Sequence, residues 1–162
     1  FDQMTDKNQR ILIPGCGNAY EAEYLWEQGF KNTWIVEISQ LAVDSFLKRY
    51  PKFPKDHIFV TNFFALQEKF DCVVEQTFFC AIDPSMRASY AKKVSEILNP
   101  GGKLVGLLFN RHFDGGPPFG GNQAEYEATF GPYFSIEKME NAYNSIPPRK
   151  DTELFIRFTK KV

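Results

Sequence analysis

The sequence predicts an α/β fold: a doubly wound, mostly parallel seven-stranded sheet that ends in an antiparallel C-terminal hairpin. Three observations predict it. Short apolar runs alternate with helical patterns through the first two thirds of the chain, which is how parallel strands and their crossover helices read. A glycine turn follows the first run and opens a helix, as happens at the ligand end of such sheets. Two strand-like stretches near the end, 136–142 and 153–160, have no helical pattern between them, so they pair as a hairpin.

Ile11-Leu12-Ile13-Pro14 is the first strand, apolar on both sides as a covered parallel strand must be. Gly15-Cys16-Gly17 lets the backbone turn and approach a ligand. Asn18 is then an N-cap, with Glu21 placed for a capping box. A helix over 19–28 has Ala22, Leu25 and Trp26 on one face and stops at Gly29. Residues 33–37 form the second strand, and Ser39 caps a helix that Pro51 ends. Residues 57–61 and 70–75 read as the third and fourth strands. Asp83-Pro84 opens the next helix, with proline at its first position. Asn99-Pro100-Gly101-Gly102 is a turn before a fifth strand over 103–110. A Gly- and Pro-rich loop over 111–121 precedes a short helix near 123–130, and then the hairpin.

The ligand site follows from this order, because such sheets bind ligands beyond the carboxyl ends of their strands. Pro14, Gly15, Cys16, Gly17 and Asn18 form the first wall. Glu37 stands at the tip of the second strand, 20 positions after Gly17, where a carboxylate accepts hydrogen bonds from ribose hydroxyls. Ile38 is placed to pack beside an adenine ring. Tyr20 stands where a dinucleotide fingerprint has its third glycine. That favours a nucleoside cofactor without phosphates over NAD.

The runs Ile13-Pro14-Gly15-Cys16-Gly17-Asn18-Ala19 and Val36-Glu37-Ile38-Ser39 resemble the thiopurine methyltransferase family of Rossmann-like class I methyltransferases, nearest its thiol- and halide-methylating branch. The resemblance runs from Ile11 to about Lys160 and implies S-adenosylmethionine as cofactor. It places Asn62, Phe63 and Phe64 where the family contacts adenine. It also assigns Glu75 and Gln76 to the cofactor side, with Gln76 standing where the family often has arginine. Phe78 and Phe79 are an expected apolar wall for the acceptor and the sulfonium. Gly116-Pro117-Pro118-Phe119 resembles a family loop that closes over the acceptor, with Gly115 and Gly120-Gly121 as flexible flanks. Arg111, and Arg149 within Ile146-Pro147-Pro148-Arg149-Lys150, are candidates for holding an anionic acceptor. The implied reaction is direct methyl transfer to a small soft nucleophile, a thiol, halide or thiopurine-like acceptor.

No catalytic residue is assigned. His112 with Asp114 is a candidate base, weighed against an ordinary solvated loop histidine, and Cys80 reads as a packing residue. The 162 residues suit one domain, residues 1–162, and a chain that begins at Phe1 suggests that an N-terminal cofactor-covering segment precedes it. With 19 basic and 20 acidic side chains, there is no electrostatic footprint for nucleic acid or a membrane surface. Three cysteines point to a reducing, cytoplasmic setting, and no Cys/His spacing suggests a metal. A monomer or weak dimer is expected. An O- or C-methyltransferase, a non-catalytic cofactor-binding domain and, more remotely, an NAD-dependent dehydrogenase stay open at this point.

Overall fold

The computed structural model describes residues 4–15, 17 and 19–162. Among them, seven strands form one sheet: β1 (Ile11–Pro14), β2 (Thr33–Glu37), β3 (Ile58–Val60), β4 (Phe70–Gln76), β5 (Leu98–Phe109), β6 (Phe134–Asn141) and β7 (Glu153–Lys160). Their order across the sheet is β3-β2-β1-β4-β5-β7-β6. The first five run parallel, and β7 pairs antiparallel with both β5 and β6. The hairpin of the sequence reading is there, with β7 inserted between β5 and β6.

Four α-helices among the described residues accompany the sheet: α1 (Tyr20–Glu27), α2 (Gln40–Arg49), α3 (Arg87–Ile97) and α4 (Gln123–Phe130). Strand alternation divides the apolar residues into two cores, one per face. Ile11, Ile13, Ile35, Cys72 and Val74 meet Ala22, Leu25 and Phe46 of α1 and α2. Leu12, Val36, Val73 and Leu104 meet Tyr90, Val94, Ile97 and Phe130 of α3 and α4. Ile156 and Phe158 of β7 complete this second core.

Ser39 caps α2 as expected, its Oγ accepting from Ala42 N at 3.2 Å. Three local readings are corrected. The N-cap of α1 is Ala19, in the left-handed region at φ 56° with no side-chain cap bond, and Asn18 lies outside the described residues. Pro84 opens a 3₁₀ turn, Pro84–Met86, which Asp83 caps, and α3 follows directly at Arg87. The turn expected over 99–102 is instead the first part of β5, with a register shift against β4 between Phe70 and Cys72. Between β3 and β4 there is no α-helix. A 3₁₀ turn, Phe63–Ala65, makes the crossing, and Phe63 and Leu66 anchor it in the core.

Candidate active site

The carboxyl ends of β1, β2, β4 and β5 and the start of β7 share one edge of the sheet, because β7 runs opposite to its neighbour. This edge has two halves. The first is the glycine turn and the tip of β2. Gly15 has φ +60°, and its N–H donates to Val36 O at 2.8 Å. Glu37 accepts from Ser39 N at 3.1 Å through one carboxylate oxygen. Ile38 beside it is 70% exposed, an apolar surface held open next to a carboxylate. A Cβ built on Gly17 meets no described atom within 4 Å. This half suits a nucleoside cofactor: the turn leaves room at Gly17, Glu37 supplies an acceptor for hydroxyls, and Ile38 offers an apolar contact for a base. Cys16 and Asn18, expected here too, lie outside the described residues.

Asn62 is exposed and uses its Oδ1 to accept from Phe64 N at 2.9 Å, which leaves its amide N–H₂ available. Phe64 is half-buried against Phe63. Phe63 itself is a core residue, packed on Phe78 and Tyr90. The 62–64 stretch therefore offers one amide and one partly open ring.

The second half is a narrow cleft lined by Glu75, Thr77, Phe79, Cys80, Leu107, Leu108, Phe109, Arg149 and Glu153. Its free volume is about 10 Å³, room for roughly one water-sized group. Glu75 is 1% exposed, and its carboxylate is turned into the protein. It accepts from Phe78 N at 3.2 Å, from Phe79 N, and from Tyr90 Oη at 3.1 Å. Burial pushes its pKa up to about 7 even though those hydrogen bonds pull it down. The expected cofactor contact is thus a carboxylate whose visible partners are the two amides of its own loop and a tyrosine. Gln76 beside it is half-buried. Thr77 sits at φ 65°, and this left-handed residue turns the chain back over Glu75.

Of the two expected wall residues, Phe78 lies across the glycine turn. A Cβ on Gly15 would come within 2.2 Å of its ring. Phe79 is 1% exposed and packs on Tyr90, Tyr126 and Phe130. Cys80 donates its S–H to Thr77 O at 3.3 Å, and burial pushes the thiol up to about 11. At neutral pH it is a thiol, as a packing residue should be.

The acceptor candidates divide between two places. Arg149 lies in the cleft, its guanidinium over the Phe109 ring at 5.3 Å. Arg111 and Phe119 line a separate hollow with Pro84, His112, Phe113 and Glu125, about 360 Å³ in volume. Arg111 is exposed and stacks on Phe113 at 4.2 Å. His112 and Asp114 pair at 3.2 Å, but both side chains are open to solvent. That is the arrangement of a solvated loop histidine.

The loop expected to be flexible is tied down at its far end. Phe119 N donates to Cys80 O at 2.7 Å, and Gly121 N to Arg111 O at 3.0 Å. Arg87 Nη2 donates to Phe119 O at 3.3 Å and to Gly120 O at 2.8 Å. The same guanidinium lies over Phe79 at 4.6 Å. Gly120 and Gly121 are close-packed against Arg111 and Tyr126, so these two glycines serve contact, and the hinge expected there is corrected. Gly115 meets nothing within 4 Å and remains an open position.

Sequence reasoning missed Arg87, Tyr90 and Glu153. Arg87 follows an Asp-Pro helix start and reads locally as a surface charge. Tyr90 falls on the helical apolar stripe and reads as core. Glu153 opens a strand whose alternation marks Leu154, Ile156 and Phe158 as inward, so a buried glutamate at its first position has no local signature. Among the described residues, no cluster of His, Cys, Asp and Glu could hold a metal ion, and no helix is long and apolar enough to cross a membrane.

The profile of the family described as thiopurine S-methyltransferase (TPMT) matches residues 1–161. The chain is 32% identical over 161 residues to probable thiol methyltransferase 2 of Arabidopsis thaliana, covering 94% of this chain and 70% of that one. It is also 32% identical to thiocyanate methyltransferase 1 of Brassica oleracea, over 93% of this chain and 70% of the relative. A thiopurine S-methyltransferase of Vibrio cholerae is 29% identical over 80% of this chain and 67% of its own length. Among solved structures, the N-methyltransferase NodS of Bradyrhizobium japonicum in complex with S-adenosylhomocysteine superposes with a TM-score of 0.74, at 16% identity, over 95% of this chain and 79% of that one. A TehB-like SAM-dependent methyltransferase of Corynebacterium glutamicum also superposes at 0.74, with 17% identity, over 99% and 84%. The structural likenesses establish the fold.

Proposed function

The chain belongs to the thiopurine S-methyltransferase family, and on that premise we propose that it methylates the sulfur of a small thiol or thiol-like anion. It is an S-adenosylmethionine-dependent methyltransferase. The observation that carries the acceptor reading is the lining of the cleft: Phe79, Leu107, Leu108 and Phe109 between strand ends, with one guanidinium reaching in. It suits a compact sulfur nucleophile. The relatives named for thiol and thiocyanate methylation support the same choice.

When bound, S-adenosylmethionine supplies a methyl group on a positively charged sulfur. The residues of this chain hold and orient. Glu37 takes the ribose hydroxyls, Ile38 and Phe64 take the base, and Gly15 and Gly17 leave room for the rest. Phe78 lies over the glycine turn, beside the acceptor cleft, with an aromatic face that favours a cation. Arg149 attracts the acceptor as an anion. Phe79, Leu108 and Phe109 keep bulk water from the cleft, which strengthens that attraction. Holding two reactants in line is worth roughly 7–11 kcal/mol in favourable intramolecular cases, and a sulfur nucleophile asks little more.

The free thiols of Cys72 and Cys80 support placing the protein in a reducing compartment such as the cytoplasm. The larger hollow beside Arg111 and Phe119, at about 360 Å³, favours a second reading in which a bulkier heteroaromatic thiol binds there. A methylation assay with a small aliphatic thiol, thiocyanate, a halide and a heteroaromatic thiol decides between them. Turnover of the small acceptors supports the cleft, whereas turnover of the heteroaromatic thiol alone moves the acceptor site to the hollow. Calorimetric titration should show micromolar binding of S-adenosylmethionine and S-adenosylhomocysteine and none of NAD; binding of NAD alone would overturn the reading.

A further inference from the structure

We propose that Glu153 is the general base of this enzyme, taking the proton from a thiol acceptor as its sulfur attacks. The proposal rests on the sulfur-acceptor reading above. Glu153 is the first residue of β7, opposite Phe109 in the antiparallel register. It is 4% exposed, and its side chain lines the acceptor cleft.

The state of its carboxylate is what singles it out. Among the described residues, no N–H or O–H group hydrogen-bonds to it. Its one charged partner there is Arg149, whose Nη1 stands 3.8 Å away. That is an ion-pair distance, beyond hydrogen-bond reach. The small exposure that remains leaves its oxygens open towards the cleft, and the S–H of an acceptor is a donor of the right kind.

The other bases near the cleft are engaged or misplaced. Glu75 already receives Phe78 N, Phe79 N and Tyr90 Oη. The Cys80 thiol is bonded to Thr77 O. His112 belongs to the other hollow and lies in solvent against Asp114. Among the residues that line the cleft, Glu153 alone combines burial, an open pair of oxygens and a neighbouring cation.

The step balances. The acceptor's S–H bond breaks and its proton passes to a Glu153 oxygen. The sulfur's electron pair forms the new bond to the methyl carbon. The methyl's former bond breaks, and its electron pair stays on the departing sulfur, which leaves as a neutral thioether. The proton leaves Glu153 for water as the products depart. Arg149 remains charged throughout and faces the sulfur as it gains negative character.

An acceptor that carries no proton does not need this residue, and that gives the test. E153Q and wild type are compared at pH 6.5 with 2-mercaptoethanol, which is almost wholly protonated there, and with thiocyanate, which has no proton to lose. E153Q should lose about 100-fold or more in kcat/KM for the thiol, with a much smaller loss for thiocyanate. Calorimetry in the presence of S-adenosylhomocysteine should show thiocyanate binding to E153Q at least as tightly as to wild type, since a negative charge has left the cleft. Equal losses for both acceptors, or clearly weaker thiocyanate binding, would mean that Glu153 only holds Arg149 in place, and the proposal fails. Unchanged thiol turnover also overturns it. Wild type inactive towards both acceptors removes the small-acceptor reading of the cleft and this proposal with it, a failure recognisable because it shows before any mutation.

Discussion

The two halves of the site are built differently. The half proposed for the cofactor, at the tips of β1 and β2, uses neighbouring residues and backbone: a glycine turn, a carboxylate at a strand tip and an exposed isoleucine. The half proposed for the acceptor draws on β4, β5, the start of α3, the 111–121 loop and β7, held by side chains that reach across long stretches of chain. Arg87 binds carbonyls 32 and 33 positions away, and Glu153 stands opposite Phe109. Local construction makes the first half tolerant of change elsewhere. The second half is correct only when the whole sheet is.

This contrast can be broken or sharpened by experiment, beginning with the largest effect. A methyl group at Gly106 would lie 1.9 Å from Glu75 O, on the facing strand. Gly106→Ala should therefore separate β4 from β5 and cost about 4 kcal/mol or more, read as a lowered denaturation midpoint. Loss of acceptor turnover in whatever fraction stays folded should exceed loss of cofactor affinity; equal losses would deny that the halves are separable.

Glu75 gives the next effect. Its pKa is raised from 4.5 to about 7, so the native state holds the proton more tightly than the unfolded chain. Its contribution is greatest below pH 4.5, is lost as pH rises through 7, and amounts to about 3 kcal/mol across that window. Denaturation at pH 5.5 and 7.5 should show the fall, and Glu75→Gln should flatten it. Glu137 works in the opposite direction. Hydrogen bonds from Thr159 and Lys103 lower it to about 2, so its contribution is lost as pH falls from 4.5 towards 2.

On the role proposed for it, Glu37→Ala removes a charged acceptor of ribose hydrogen bonds, each worth about 1.5–3 kcal/mol. Cofactor affinity should fall about 10- to 100-fold by calorimetry, with the melting temperature nearly unchanged. Unaltered affinity would take Glu37 out of the site. Arg87→Ala should act most locally. It releases the Phe119 and Gly120 carbonyls, and hydrogen exchange should rise at 119–121 while the amides of β1 and β2 keep their protection.

The same division decides how much was legible in the sequence. Among the described residues between Ile11 and Glu37, the two strands and the body of α1 could be read almost residue by residue, because apolar runs and helical stripes act over a few positions. Even there, the start of α1 at Tyr20 escaped, since Ala19 has no capping chemistry to announce a left-handed turn. The aromatic residues were harder. Phe63 and Phe79 have the same local look as Phe64 and Phe78, and only tertiary packing, on Tyr90 of α3 and for Phe79 also on Tyr126 and Phe130 of α4, buries the first two. The expected hinge at Gly120–Gly121 failed for a related reason. A glycine that frees a loop and one that lets two chain segments touch are the same letter, and the contacts with Arg111 and Tyr126 are set by tertiary structure.

The position of β7 between β5 and β6 has a consequence for biosynthesis. As the chain leaves the ribosome, β6 appears before the strand that is to join it to the sheet. Until β7 arrives, β6 has no partner, and the outer edge of β5 is bare. A nascent chain at that stage already has the glycine turn, Glu37 and the parallel strands around them, the half proposed to hold the cofactor. It has neither Arg149 nor Glu153. On these proposed roles, ligand capture would come before catalytic competence during synthesis.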